Sequence, residues 1–187
     1  MGWVTPRLRT VLVAGLSVLA WGRLTPVCAA NPDTLVVSVS PNVTYGVTVS
    51  SVTGGVGYQF GNVNLGATTQ STAAIVLTNS GNVSEYFSLA MNNTSGNWTL
   101  TTSAPGTDTF RVSALLQATQ PLVASFTDFL SNPPVPGAAA TLYGQASTKT
   151  APTAAKNLWL RLEMPTALSV GTSGAQTTTL YVNGQGS

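Results

Sequence analysis

The sequence predicts an all-β protein: a single antiparallel β-sandwich of roughly seven to ten strands, preceded by a removable N-terminal leader. Three observations lead to this prediction. Short apolar segments alternate with period two along the chain, and the turns between them are rich in Gly, Asn and Pro. No long stretch has the 3.6-residue period of an amphipathic helix. Many short strands without crossover helices are typical of packed antiparallel sheets.

Residues 1–30 have the layout of a secretory signal peptide. Arginines precede an apolar run, residues 11–21, and small residues ending at Ala30 offer a cleavage site. The run is shorter than the about 20 residues that cross a bilayer, so we expect no membrane span after cleavage. We therefore predict that residues 31–187 form one secreted or cell-surface domain. Lipoprotein processing at Cys28 is the alternative, although the residue before it is larger than that processing prefers.

Loss of the leader changes the charge of the protein. The whole chain carries +2, but three of its arginines lie in the leader, and the remaining four cations against five anions give −1. Four scattered cations cannot form a phosphate-binding groove, which argues against nucleic acid as a partner. A weakly charged, hydroxyl-rich surface repels copies of itself only weakly, and this favours self-association.

Catalytic groups are scarce in the sequence. It contains no His, and its single Cys, Cys28, lies in the leader, so histidine-based triads, thiol catalysis and imidazole zinc sites are excluded. No calcium-loop spacing is present. The acidic residues lie on different predicted elements and form no pair suited to glycoside hydrolysis: Glu85, Asp108, Asp128 and Glu163. We expect no enzyme activity, no cofactor and no metal site.

Two alternating segments near the start of the domain, residues 35–40 and 43–50, predict strands rich in β-branched residues. Such a strand either pairs within its own sheet or adds to the sheet of a neighbouring copy. The apolar members of the two segments define a candidate assembly strand: Leu35, Val37, Val39, Val43, Tyr45, Val47 and Val49.

The region from residue 58 to residue 91 carries the clearest strand-and-turn pattern. Residues 60–66, 72–78 and 84–91 predict three short strands. Residues 79–82, with the sequence Asn-Ser-Gly-Asn, tolerate left-handed backbone. The sequence therefore predicts a hairpin between residues 72 and 91.

Further strands follow in the second half of the chain. Residues 122–130 fit either a strand or one helical turn. The other predicted strands cover residues 97–102, 109–116, 138–145, 158–164 and 176–183. Alternation predicts an inward-facing set on the second of these strands: Phe110, Val112, Ala114 and Leu116.

Two motifs, Phe60-Gly-x-Val-x-Leu-Gly66 and Leu77-Thr-Asn-Ser-Gly-Asn82, carry a resemblance to known modules. Through them the chain resembles Ig-like modules of secreted bacterial surface proteins, including the ASH-type (Hydin-like) modules. Its Leu-Thr-Asn-x-Gly turn is similar to that of camelysin-like biofilm fibre proteins. The resemblance implies an Ig-like β-sandwich and a secreted scaffold or surface-assembly module, and it implies no catalytic residues.

A candidate ligand platform lies on the predicted strand 158–164. Trp159, Arg161 and Glu163 alternate with apolar residues, so we expect them on an exposed face, where an indole can stack on a sugar. Packing of the indole within the protein is the alternative. The other aromatic residues with the potential to join such a platform are Trp98, Tyr58, Tyr86, Tyr143 and Tyr181.

Three functions from different classes follow, in order of preference. The first is a structural or surface-display subunit that associates with itself or with other surface proteins through the candidate assembly strand. The second is a carbohydrate-binding or adhesive module that uses Trp159. An enzyme comes last, because the sequence has no His and few carboxylates.

Overall fold

The computed structural model divides the chain into two compact units, Met1–Ser40 and Pro41–Ser187. In the first unit, residues 38–40 are described, and they form neither helix nor strand. The predicted leader and residues 35–37, which include Leu35 and Val37 of the candidate assembly strand, lie outside the described residues. The described residues are 38–50, 57–94, 96–131, 142–169, 171 and 173–186.

The Pro41–Ser187 unit is all-β, which confirms the predicted class. In the described part of the chain, nine strands are accompanied by one short 3₁₀ turn, Val123–Ser125. The strands are β1 (Val47–Ser50), β2 (Thr68–Gln70), β3 (Ile75–Asn79), β4 (Tyr86–Met91), β5 (Thr99–Leu100), β6 (Thr109–Leu116), β7 (Asp128–Phe129), β8 (Ala155–Glu163) and β9 (Leu180–Gln185).

Seven of these strands form one sheet. Its main order is β1-β3-β8-β6-β5, with β2 added to β8 and β7 added to β6. Every pairing is antiparallel except that of β5 with β6, which is parallel over two residues. The longest strands, β6 and β8, lie at the centre of the sheet, with Ala114 opposite Leu160. Their strong alternation in the sequence matches this central position.

β4 and β9 form a second sheet of two strands, in which Leu89 lies opposite Val182. Both sheets contribute to one apolar core, because Leu77 and Leu158 of the large sheet cluster with Phe87 and Leu89 of the small one. A two-stranded sheet is marginal in water, so this shared core is what stabilises it. The core also contains the predicted inward set of β6, which is confirmed: Phe110, Val112, Ala114 and Leu116.

The predicted hairpin between residues 72 and 91 is wrong. β3 pairs with β1 and β8, whereas β4 pairs with β9, so the connection between β3 and β4 passes from one sheet to the other. The buried amide of Asn79 holds this bend. Its Nδ2 donates to the carbonyls of Val83 and Thr150, both at 2.8 Å, and its Oδ1 accepts from the Gly81 N–H. The turn is thereby tied to the loop before β8.

The predicted strand over residues 60–66 does not form. Gly61 and Gly66 have φ angles of +71° and +66°, in the left-handed region, which interrupts extended pairing. Tyr58 and Phe60 still pack against the core, with their ring centroids 4.9 Å apart. The segment is a loop that covers the core and leads into β2.

Several predicted strands are shifted or shortened. The strand predicted over residues 43–50 begins only at Val47. The strand predicted over residues 72–78 is β3, and it is preceded by β2 on the same side of β8. Ser71 bridges the break between them, because its N–H and Oγ both bond to the backbone of Leu160. Of the predicted strand 138–145, the described residues 142–145 contain a turn, and residues 138–141 lie outside the description.

Candidate functional site

Trp159 is buried under a segment that crosses the outer face of β8. We call this segment, residues 117–126, the strap. The indole Nε1–H donates to the carbonyl of Gln117 at 2.9 Å, and the ring packs with Leu115 and Phe126. Trp159 is only 7% exposed, so the predicted exposed face is wrong. Alternation separated the two faces of β8 correctly, but it carried no information about the strap.

Arg161 and Glu163 belong to a charge cluster beside the strap. The Glu163 carboxylate accepts hydrogen bonds from Arg111, at 2.5 and 3.1 Å, and forms an ion pair with Arg161. Arg161 also donates to the Val123 carbonyl at 3.1 Å, and the Arg111 guanidinium lies over the Phe129 ring. Burial raises the pKa of Glu163, but the hydrogen bonds from both arginines outweigh burial and leave the pKa below its usual value. Arg161 and Glu163 are thus engaged within the protein, and Arg161 bonds to the strap as Trp159 does.

The other aromatic residues do not supply a platform in place of Trp159. Trp98, Tyr86 and Tyr143 are buried, while Tyr181 is about half exposed on β9. Within the described ranges, no three His, Cys, Asp or Glu side chains lie close enough to share a metal ion. In the same ranges, no helix has the length and apolar character needed to cross a membrane.

The outer edge of β4 is closed by side chains. The amide of Gln145 spans Phe87, accepting from its N–H and donating to its carbonyl, both at 2.8 Å. Further along, the Tyr143 hydroxyl donates to the Leu89 carbonyl at 3.3 Å. These contacts replace a neighbouring strand, so this edge of β4 offers little backbone for an incoming one.

The outer edge of β6 is also closed. The two-residue strands β5 and β7 pair along it, and the Leu116 N–H donates to the Tyr143 carbonyl at 2.7 Å. Very short edge strands are a common protection against pairing with other chains. Tyr143 therefore links the two sheets: its backbone carbonyl bonds to β6, and its side-chain hydroxyl group bonds to β4.

β1 and β9 have open edges. In the described part of the chain, β1 pairs only with β3 and β9 only with β4, and the two strands lie next to each other at one flank of the fold. Neither strand contains a charged residue or a proline. Charges, prolines and bulges are the usual protection of exposed sheet edges. This flank is therefore the candidate functional site.

The core is incomplete at this flank. Val49 pairs with the fully buried Leu77, and therefore faces the core side of the sheet, yet it is 47% exposed. On β9, Leu180 and Val182 face the core and are only half-buried. Large apolar side chains in such positions are normally covered, so this flank presents apolar surface that a further strand would bury.

Residues 43–47 of the candidate assembly strand lead into β1 at this flank. Val39 is 83% exposed, Val43 and Tyr45 are about half exposed, and Val47 packs partly against the core. Asn82 fixes residues 42–44, because its side chain and backbone bond to Asn42 and Thr44 at 2.7 to 3.0 Å. The sequence predicted the apolar strand over residues 43–50. It predicted Asn82 only as a turn residue and not as the residue that binds this segment.

Glu85 joins the assembly strand to the small sheet. Its side chain is fully buried, and Oε2 accepts from the Gly46 N–H at 3.0 Å, while Oε1 has no hydrogen-bond partner among the described residues. A Cβ atom at position 184 would collide with this carboxyl group, so Gly184 makes room for it. Burial raises the pKa of Glu85, and the bond from Gly46 opposes this only partly.

We expect Glu85→Gln to stabilise the protein at neutral pH, by about 1 kcal/mol, since the amide can accept the Gly46 bond without a buried charge. A carboxyl group with a raised folded-state pKa stabilises the fold below its unfolded pKa. That contribution is lost as the pH rises through the folded-state pKa. The stability difference between Glu85→Gln and the unmodified protein should therefore disappear in acid. Thermal unfolding across the acid-to-neutral range measures it.

Glu163→Gln is the matched control for this prediction. The pKa of Glu163 is lowered, so its stabilisation is present above the unfolded pKa and is lost as the pH falls through the folded-state pKa. We expect this variant to be less stable than the unmodified protein at neutral pH. A Glu85→Gln protein that is also less stable at neutral pH would contradict the assignment.

A scan of the sequence against protein-family models finds no match, and a search of curated proteins finds none either.

Proposed function

We propose that this protein is a secreted structural or cell-surface subunit, not an enzyme, and that copies of it associate through the N-terminal strand. The observation that carries the proposal is the exposure of that strand: Val39, Val43, Tyr45 and Val49 are 47 to 83% exposed. They lead into and form part of β1, an uncharged strand at the edge of its sheet.

Strand addition supplies the physical basis for this association. An added strand makes main-chain hydrogen bonds, and its alternate side chains fill apolar positions on the acceptor. Each apolar side chain removed from water contributes about 1.5–3 kcal/mol, so a few of them give a stable contact after the cost of association. The low surface charge reduces repulsion between the copies.

The Ig-like sandwich is part of the proposal. Two sheets of short strands that share one core support such an arrangement. The resemblance of the Leu77–Asn82 motif to that of surface and fibre modules favours a role in a fibre, sheath or surface layer. The lack of His and the engagement of Glu163 with two arginines both favour a structural role over a catalytic one.

Val39→Lys tests the proposal. Val39 is 83% exposed, so the change should alter the unfolding free energy by less than about 0.5 kcal/mol. Association should weaken by at least about tenfold, because a charge replaces an apolar side chain that becomes buried on pairing. Sedimentation velocity over a range of protein concentrations measures the association.

Leu122→Lys provides the matched control, because Leu122 is an equally exposed apolar residue, at 78%, and lies on the strap. We expect this variant to associate like the unmodified chain. Equal association of the Val39 and Leu122 variants would remove the N-terminal strand from the contact.

A further inference from the structure

We propose that the acceptor for the N-terminal strand is the outer edge of β9 in a second copy, where residues 35–40 add as a third strand of the small sheet. The inference rests on the self-association proposed above and adds which edge receives the strand. It is carried by the backbone orientation of β9, by the half-buried apolar side chains beside it and by the apolar alternation of residues 35–40.

The register between β4 and β9 shows which backbone groups of β9 point outward. Phe87 and Leu89 of β4 direct their backbone groups away from β9, toward side chains on the far edge. In an antiparallel pair, the residues opposite them turn their own groups away as well. These residues are Gly184 and Val182, and no described residue forms a backbone hydrogen bond with them on that side. Their N–H and C=O groups are therefore available to a further strand.

The apolar surface beside this edge matches an incoming apolar strand. Leu180 and Val182 are half-buried, whereas Leu89 opposite Val182 is fully buried. Across the flank, Val49 of β1 is also half exposed on its core-facing side. One strand beside β9 would cover side chains from both sheets, and a third strand would strengthen a sheet that has only two.

Residues 35–40 have the properties of that strand. They number six, as do the residues of β9, and neither segment contains a charge or a proline. Leu35, Val37 and Val39 alternate with Val36 and two serines, so one face is apolar and the other is largely hydroxyl. Pro41 ends the strand, because it lacks an N–H.

Residues that follow the donor strand are bound beside β3. Asn42 and Thr44 bond to Asn82, and this keeps them in line with β1 beside the turn that ends β3. We assign the contact to a second copy because the proposed function is an association between copies. Each copy would donate at one place and accept at another, so the contact either closes by reciprocal exchange between two copies or continues into larger rings or filaments.

Mixing two single-cysteine chains tests the inference. All chains carry Cys28→Ser; one carries Ser38→Cys on the hydroxyl face of the strand, and the other carries Asn183→Cys or Tyr181→Cys on the exposed face of β9. A disulfide requires Cα atoms about 4.4–6.8 Å apart, and paired strands provide this separation. The mixture is mildly oxidised and resolved on a non-reducing gel, so only contacts between copies yield the mixed dimer.

We expect at least one of the two β9 cysteines to give roughly tenfold more mixed dimer than the controls, because only paired strands hold the thiols within bonding distance. The controls are Thr48→Cys on β1 and Thr99→Cys on β5, which are equally exposed edge positions. Cross-linking to either control at the level of β9, or no preference in a chain that still associates, would overturn the β9 acceptor alone. A chain that sediments as a monomer would overturn the proposed function together with it.

Discussion

Gln145→Ala is expected to lower the free energy of unfolding by about 2–6 kcal/mol, which is a large part of the stability of an ordinary domain. The Gln145 side chain is 2% exposed and forms two hydrogen bonds of 2.8 Å with the N–H and carbonyl of Phe87. Alanine reaches neither group. Each buried backbone group left without a partner costs about 1–3 kcal/mol, and the lost packing adds to this cost.

Chemical denaturation of Gln145→Ala and Gln120→Ala measures the difference. Gln120 undergoes the same chemical change, but its exposed side chain makes a single bond of 2.9 Å to the Ser71 carbonyl. Its replacement should cost no more than about 1 kcal/mol, because water can replace the lost bond. If both variants lose equally little stability, the hydrogen bonds from Gln145 to the outer edge of β4 do not stabilise the protein as expected.

Tyr143→Ala is expected to cost about 3–5 kcal/mol. The backbone of Tyr143 is held at β6, where its N–H donates to Asp128 at 2.5 Å and its carbonyl accepts from Leu116 at 2.7 Å. Its ring enters the core and reaches β4 through the bond to Leu89. Removal of the ring leaves a cavity between the two sheets, and the surrounding side chains can fill it only in part.

Tyr143→Phe separates the ring from the hydroxyl group. It retains the core packing and loses only the 3.3 Å bond to the Leu89 carbonyl, so we expect a cost of about 1 kcal/mol. Thermal unfolding of both variants provides the comparison. Burial, together with the negative charge of Asp128, raises the pKa of Tyr143 to about 12, and Tyr143→Phe should lack a titration step near that pH. A phenylalanine variant as unstable as the alanine variant would contradict the role given to the ring.

Local alternation predicted the central strands well. The bounds of β6 match the predicted residues 109–116, and the inward positions of β6, together with Leu158 and Leu160 of β8, are buried in the core. Period-two alternation records burial on one face, and that information lies within a few consecutive residues. The all-β class followed from the same local information.

The predictions that failed depended on contacts between distant parts of the chain. Asn, Ser and Gly at residues 79–82 suit a hairpin and a crossing between sheets equally well. The choice is made by the bond from Asn79 to Thr150, which are 71 residues apart in sequence. Trp159 lies on the outer face of β8 as predicted, but its indole bonds to Gln117, 42 residues earlier in the chain. Alternation identifies a face without identifying what covers it.

At the candidate site, too, the local pattern could be predicted and the long-range arrangement could not. The apolar alternation of the N-terminal strand is visible in the sequence, whereas the openness of β9 is not. That openness is distinctive only because Gln145 and Tyr143 close β4 while β5 and β7 close β6. A sheet edge is defined by what all other segments leave uncovered, so its position emerges only from the complete fold.

Sedimentation velocity of the unmodified chain, with its N-terminus determined by intact mass and its particles imaged in negative stain, tests the central claim most directly. We expect an average mass that rises with protein concentration, together with dimers, rings or elongated particles, because each copy would donate a strand at one place and accept one at another. A single species of monomer mass at every concentration, in a chain that retains residues 35–50, would contradict the account.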